Sequence, residues 1–369
     1  VDLFIGYGGR TKMDKRVDSN LLLDMSGMLN DIGFNLDDEL GVANMAEYHY
    51  DDGAVYGFPT KYENSRWILI NEDMFKEAGL DIPYDGWTYS EFLADAEKLT
   101  HGEGQDKVYG VCWARKQSGN SILLALDGVL GANQIYKNEE GTEVNFDNDV
   151  YRAGLNLVKE TLDKGYAIPI EDEFSEDISV ANTFLQGKCA IMLGVAQMRL
   201  CMDQENYPHD FMTALVPAPV PDDEKYNTEF YRKQIGTTGA GDLLSISANT
   251  KYPEASFEFA MWYLKGGMSP LVQGGRIPLW NGVNKDEVLS VLKEKAQGSI
   301  DMDSMENYLS LDTTQGVAAI KGHASSEISS AWFEEFDAMC YGKQSVDQTV
   351  QNMEKRGNEL IQTELSSQK

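Results

Sequence analysis

Six apolar runs of four to six residues, each followed by a helical or polar segment, constrain the fold most: Val1–Ile5, Trp67–Ile70, Val108–Cys112, Ala190–Leu193, Phe211–Val216 and Leu243–Ser247. Runs of that length between turn signals read as buried strands, because both faces of the strand are covered and no polar alternation is left. Helical spacing lies between them. Tyr151, Leu155, Val158 and Leu162 recur three and four apart behind Asp147–Asn148, a natural cap. Ala255, Phe259 and Trp262 do so behind Pro253–Glu254, and Val346, Val350, Met353 and Leu360 near the end. The alternation predicts α/β layers with mainly parallel sheets. At 369 residues the chain exceeds one ordinary core, so two domains or two lobes are expected. Loops fall at Asp51–Gly53, His101–Gly104, Val220–Glu224 and Gly236–Gly241, but no Gly/Ser/Pro linker separates independent domains, and two lobes sharing crossovers fit best.

Charge narrows the partners. Asp and Glu number 60 against 31 Lys and Arg, a net charge of −29, with no basic cluster to offset it. Nucleic acid, which is bound through concentrated positive charge, is not expected as a partner. An anionic membrane surface would repel the chain. No apolar run approaches the roughly 20 residues that span a bilayer. The chain opens on Val1–Ile5 without an initiating Met or a leader, which reads as a processed or trimmed amino end.

The chemistry-bearing residues do not assemble into a catalytic pattern. His49, His101, His209 and His323 are scattered and lack HExxH spacing. There is no GxSxG elbow, and Gly236–Gly241 matches neither a P-loop nor a dinucleotide fingerprint. The acidic clusters Glu171–Glu173 and Glu334–Glu335 read as solvated surface rather than as paired glycosidase carboxylates. Asp147–Asp149 lacks the glycine and distal Glu of a calcium loop and reads as a helix cap. No catalytic residue, metal or cofactor is expected. Cys112, Cys189, Cys201 and Cys340 contain no CxxC pair and are too sparse for a disulfide framework, and Cys189 reads as a small buried hydrophobe.

What the sequence has in excess is aromatic side chains beside hydrogen-bonding residues in expected loops: Tyr7–Arg10, Lys61–Asn64, Trp113–Arg115, Ile277–Trp280 and Ala331–Phe333. An aromatic face packs on the C–H face of a sugar ring while carboxylate, amide and guanidinium groups take its hydroxyls, so the combination suits a carbohydrate cleft.

A resemblance sharpens this. Asp52–Thr60 followed by Ile68–Pro83, then Trp87–Phe92 with Lys98–Thr100, Phe184–Met192, Tyr252–Ala255 and Gly342–Val350 together resemble, in order, the signature stretches of family 1 extracellular solute-binding proteins. These are carbohydrate receptors of ABC importers, with maltose-binding protein as a distant relative. One departure is that the family's first strand, helix and second strand, which precede the element resembling Val1–Ile5, are missing. The resemblance implies a two-lobed periplasmic-binding-protein-like α/β fold of type II with the ligand between the lobes. Lobe one takes 1–62 and 242–290, lobe two 63–241 and 291–369.

By the same resemblance the function is capture of a mono- or oligosaccharide and delivery to the membrane permease subunits of an importer. The chain is then a monomer without turnover, outside the cytoplasm, lipid-anchored on the outer face of a bacterial membrane or periplasmic. Tyr7, Arg10, Lys61, Tyr62, Glu63 and Trp332 match family ligand positions most directly. Trp113, Arg115, Asn120, Gln197, Asp242, Arg276 and Trp280 follow with more variable loops around them. Ala196–Gln197 replaces the tryptophan of maltose-type receptors, which argues against a long maltodextrin. A neutral sugar is expected, with Trp332 as one stacking platform and Tyr62 or Trp113 as another. Two other readings stay open: a same-fold receptor for a polyamine, peptide or metal, and a secreted glycoside hydrolase.

Overall fold

The computed structural model of the chain describes every residue except 7–8, 42–44, 46–47, 51, 63–65, 116–134, 176–178, 234–241, 268, 311–321 and 368–369, and the side chains of 9–12, 175, 180 and 196 are likewise outside the description. The chain divides into two compact units. The first gathers Val1–Asn64 and Gly236–Lys295, the second Ser65–Ile235, Ala296–Ser310 and Ile320–Lys369. In chain order the strands are β1 (Leu3–Gly6), β2 (Phe58–Pro59), β3 (Lys61–Tyr62), β4 (Trp67–Asn71), β5 (Tyr109–Cys112), β6 (Cys189–Leu193), β7 (Thr213–Pro217), β8 (Leu243–Ile246) and β9 (Ile277–Pro278).

The first unit holds a sheet ordered β1-β8-β2 and a two-stranded ladder β3-β9. Leu3 lies opposite Ile246, and Phe58 opposite Leu244. Met25, Leu40, Phe58, Ile246 and Ala260 are buried beneath the sheet. The helix Pro253–Trp262 starts on a proline, whose missing N–H costs nothing in the first turn, and turns Phe257, Ala260 and Met261 inward.

The second unit holds a sheet ordered β5-β6-β4-β7. Every residue of β4, β6 and β7 is buried, as their unbroken apolar runs predict. The helix Tyr89–Leu99 opens on a capping box in which Thr88 accepts from the Glu91 N–H and Glu91 accepts from the Thr88 N–H. It lies so close to β5 that a Cβ at Gly110 would stand 2.3 Å from the Ala96 carbonyl oxygen, so only glycine fits there. Asn148 caps the helix Asp149–Asp163 by accepting from the Val150 and Tyr151 N–H groups. The helices Ser325–Cys340 and Val346–Ser367 complete the layer.

The expectation of mainly parallel sheets is corrected by the registers. Among these ladders only β5 with β6 is parallel; β4 runs antiparallel to β6 and β7, and β8 antiparallel to β1 and β2. The reason is chain path. In the second unit β5, β6 and β7, joined by helix-containing crossovers, share a direction, whereas β4 runs opposite to them although helices also join it to β5. The reversed strands, β4 and β8, are the first laid down after the chain passes from one unit into the other.

The reading of Cys189 is also corrected. It is fully buried, but it is joined by a disulfide to Cys112, 77 positions earlier. Sequence spacing gave no sign of this, because the pair meets only once β5 and β6 are neighbours. Cys201 is a buried free thiol, pushed up to about 12 by that burial, and Cys340 is free and half-buried.

Candidate functional site

In the first unit, β3 and β9 pair antiparallel with Lys61 opposite Pro278 and Tyr62 opposite Ile277. The Leu279 N–H extends the ladder by donating to the Thr60 carbonyl at 3.2 Å. Because side chains alternate along a strand, Lys61 and position 276 share one face, while Tyr62 and Ile277 share the other. Tyr62 and Ile277 accordingly turn toward the unit's interior, where Tyr62 packs on the core.

On the opposite face the ladder meets the residue that leads into β8. Lys61 Nζ stands 2.9 Å from Asp242 Oδ2, and Arg276 Nη1 donates to the same oxygen at 3.3 Å. The Lys61 and Asp242 side chains are largely buried, whereas Arg276 is 39% exposed. Asp242 Oδ1 and the Nε and Nη2 of Arg276 have no partner among the described residues.

Two positions beyond β9, Trp280 Nε1 donates to Glu39 Oε2 at 2.7 Å. Its ring lies on the backbone at Gly282, where a Cβ would come within 2.2 Å of it. The half-buried indole is therefore fixed on one side by a glycine that has nothing to clash with and at its edge by a carboxylate.

The site residues expected in the second unit are placed differently. Arg115 follows β5 and forms a two-pronged pair with Asp337, at 2.8 Å through Nε and 2.9 Å through Nη2. Its guanidinium lies 4.2 Å above the Phe333 ring and 5.6 Å from that of Phe174. Phe333 and Asp337 are four apart on the helix Ser325–Cys340 and so share a face. Sequence reasoning missed both partners, although that spacing was the available signal. Arg115 thus ties β5 to this helix.

The two tryptophans expected as stacking platforms are core residues, and both expectations are corrected here. Trp113 is 2% exposed, donates from Nε1 to Thr161 Oγ1 at 2.9 Å and packs against Phe92. Trp332 is 2% exposed, stacks on Phe336 at 4.8 Å and 12°, and meets the edge of Phe333 at 5.3 Å. Enclosed rings have no face left for a sugar.

Gln197 ends a short turn after β6 that begins at Gly194, whose φ of 111° favours glycine, and its side chain is half-exposed. Tyr7, Glu63 and Asn120 lie outside the described residues, and Arg10 sits in the helix Gly9–Asp18 with its side chain outside them. Among the described residues no group of three or more His, Cys, Asp or Glu is placed to hold a metal ion, and no helix is long and apolar enough to cross a membrane.

Two α/β units, each assembled from separate stretches of the chain and each carrying a reversed strand in its sheet, define the class of two-lobed solute receptors. The chain belongs to the family described as bacterial extracellular solute-binding protein, whose sequence model matches residues 1–265. Its fold is that of the type II receptors. A sugar transporter protein of Rhizobium etli in an open conformation is similar over 97% of this chain and 85% of its own, with a TM-score of 0.72 and 17% identity. An ABC substrate-binding protein of Listeria monocytogenes in complex with cycloalternan gives a TM-score of 0.71 and 17% identity over 97% and 84% of the two chains. The sugar-binding protein MalE of Xanthomonas citri gives 0.67 and 18% over 98% and 84%. No curated protein sequence matches the chain. The family and these neighbours are binding proteins rather than enzymes.

Proposed function

We propose that this protein is the receptor of an ABC importer that captures a mono- or oligosaccharide, without turnover, and delivers it as a monomer to the importer's membrane subunits. It acts outside the cytoplasm, free or held by a lipid anchor. The observation that carries the reading is the cluster of Lys61, Asp242 and Arg276 on one face of the β3-β9 ladder, with Tyr62 and Trp280 on the same two segments. Polar forks beside aromatic rings match the alternating hydroxyls and C–H faces of a sugar. One structural neighbour is a sugar transporter protein, a second is a sugar-binding protein and a third carries cycloalternan, which supports the ligand class.

Lys61, Asp242, Arg276 and Trp280 in the first unit and Gln197 in the second are the proposed contacts, and Tyr62, whose ring packs on the first unit's interior, stays one on the strength of the family resemblance alone. Tyr7, Arg10, Glu63 and Asn120 stay proposed contacts on the strength of the family resemblance.

Thermal-shift screening against mono- and oligosaccharides, spermidine and divalent cations tests the ligand class. A ligand that binds only the folded state at a hundredfold excess over Kd adds about 2.7 kcal/mol of stability. The expected outcome is a shift with at least one glycan and its intact recovery by mass spectrometry. Shifts with spermidine and none with any glycan, or reproducible glycan cleavage, would refute the proposal.

A further inference from the structure

We propose that the solvent face of the helix Pro253–Trp262 is a surface platform for a neutral polysaccharide chain, and none of its residues is among the contacts of the captured sugar named above. The sequence marks Ala255, Phe259 and Trp262 as an apolar stripe, but the side of the helix that meets the core carries Phe257, Ala260 and Met261. The stripe faces water instead. Tyr252, Ala255, Phe259, Trp262 and Gly266 follow one another three and four apart and all are exposed, Tyr252 by 66%, Phe259 by 49% and Trp262 by 56%. A helix that buries one face ordinarily carries polar residues on the other, so a row of rings there does not follow from folding. Local structure fixes those rings. The helix runs into a π-helical turn, Tyr263–Gly267, a rare form that frequently marks functional positions. A Cβ at Gly267 would stand 2.6 Å from the Trp262 ring, so the indole rests on bare backbone. Phe259 lies 5.4 Å from Trp262 and stacks on Tyr263 at 6.5 Å and 27°. Lys265 sits 4.5 Å over the Phe34 ring and ties the turn to the segment ahead of the helix Leu36–Leu40. Rings held this way lose little freedom when a ligand covers them.

Area and charge select the occupant. Scaled by their exposure, the three rings offer about 300–400 Å², against about 800 Å² per partner in a stable protein interface. A second copy would also bring its own net charge of −29 against this one, and an anionic lipid surface is repelled for the same reason. The neighbouring row on the helix is charged with both signs: Lys251, Glu254 and Glu258, at the same three- and four-residue steps, are all exposed. An apolar protein groove closing over the rings would strip water from these charges without replacing it. A hydroxyl both donates and accepts, so a neutral sugar satisfies acid and ammonium alike while its C–H faces cover the rings. From Tyr252 to Trp262 the stripe runs about 15 Å and is one ring wide, a shape that suits an extended chain of sugars better than a single one.

The test is co-sedimentation of the full chain with microcrystalline cellulose, insoluble xylan, chitin and starch granules. It is run on the wild type, Phe259→Gln/Trp262→Gln and Trp262→Phe proteins once circular dichroism shows the same fold in each. The wild type should bind at least one polymer, and the double variant should bind it at least about tenfold more weakly. Trp262→Phe, which keeps a ring, should stay within about threefold of the wild type. Melting shifts with soluble glycans should be the same in all three proteins. A wild type that binds none of the polymers, or a double variant that binds as tightly as the wild type, would overturn the proposal and leave the receptor reading to the soluble-glycan shifts. A double variant that loses those shifts too would place the rings in the capture site and overturn their separate role. Ring-dependent binding to phosphatidylcholine vesicles in place of the polymers, or a ring-dependent dimer in sedimentation velocity, would give the stripe to a lipid surface or to a second copy and overturn it as well.

Discussion

Trp332→Ala separates a ligand platform from a core residue. Trp332 is 2% exposed, stacked on Phe336 at 4.8 Å with an edge contact to Phe333 at 5.3 Å, within the core of the second unit. An aromatic side chain of this kind buries about 150–250 Å², and at about 25 cal/mol per Å² that corresponds to roughly 4–6 kcal/mol, part of which alanine retains through its Cβ. The residual cavity adds a further penalty, and measured Trp→Ala changes in cores fall at about 3–5 kcal/mol. We take about 4 kcal/mol. For a unit of this size each kcal/mol moves Tm by about 2–4 °C, so melting should fall by about 8–16 °C. Differential scanning calorimetry gives the melting temperature, and titration of the folded variant below its transition gives the affinity. The expected outcome is a large loss of stability with the glycan Kd changed less than about twofold. A variant that melts with the wild type but binds its glycan at least about tenfold more weakly would place the ring in the site and refute the packing argument.

Other outcomes follow from the same contacts. The Cys112–Cys189 disulfide spans 77 positions, and closing a loop of that length restricts the unfolded chain by about 4.5 kcal/mol, so reductant or a Cys112→Ala/Cys189→Ala pair should lower Tm markedly. Alkylation of the denatured, unreduced protein should modify Cys201 and Cys340 alone; four modified cysteines would show that the bond does not form. Asp95 is half-buried and its carboxyl is raised to about 6 by that burial, so the folded state holds a proton that the unfolded state releases near 4. Stability should therefore fall as pH rises from about 4 to about 6, and Asp95→Asn should remove that slope and add about 1 kcal/mol at pH 7 once solvent screening is allowed for. Equal pH profiles for the two proteins would contradict this. Asp337→Asn leaves the Arg115 guanidinium without its carboxylate beside Phe333 and should cost about 2 kcal/mol in urea unfolding, whereas an unchanged midpoint would mean that the pair is fully screened by water.

The strands were legible where burial is two-sided. Trp67–Asn71, Cys189–Leu193 and Thr213–Pro217 are buried at every position, and only such strands leave an unbroken apolar run in the sequence. The pairs Phe58–Pro59, Lys61–Tyr62 and Ile277–Pro278 were not legible, because two residues carry no periodicity. Strand direction was hidden for another reason. An apolar run reads the same whichever way it lies, and the reversal of β4 and β8 depends on where the chain comes from.

The site shows the same division between local and non-local information. The misreading of Trp332 had a local remedy: Ile328, Trp332, Phe336 and Met339 recur at four, four and three positions, a helical stripe, and all four are buried. That periodicity outweighs the neighbouring aromatic and the match to a family ligand position, which together had marked Trp332 as a platform. Lys61, Asp242 and Arg276 were named only through the family resemblance, and no local pattern joins them. Lys61 lies in a two-residue strand, Asp242 leads into a strand that the chain enters only after traversing the second unit, and Arg276 precedes another two-residue strand. Each residue type is unremarkable at its own position, and their convergence on one carboxylate oxygen exists only because β8 and the β3-β9 ladder belong to the same unit. This is why the charged half of the site tests the functional reading more sharply than any single aromatic. Its polarity follows from three side chains that no local pattern brings together, so a ligand that ignores Asp242 and Arg276 would mean that the convergence serves the unit's stability alone.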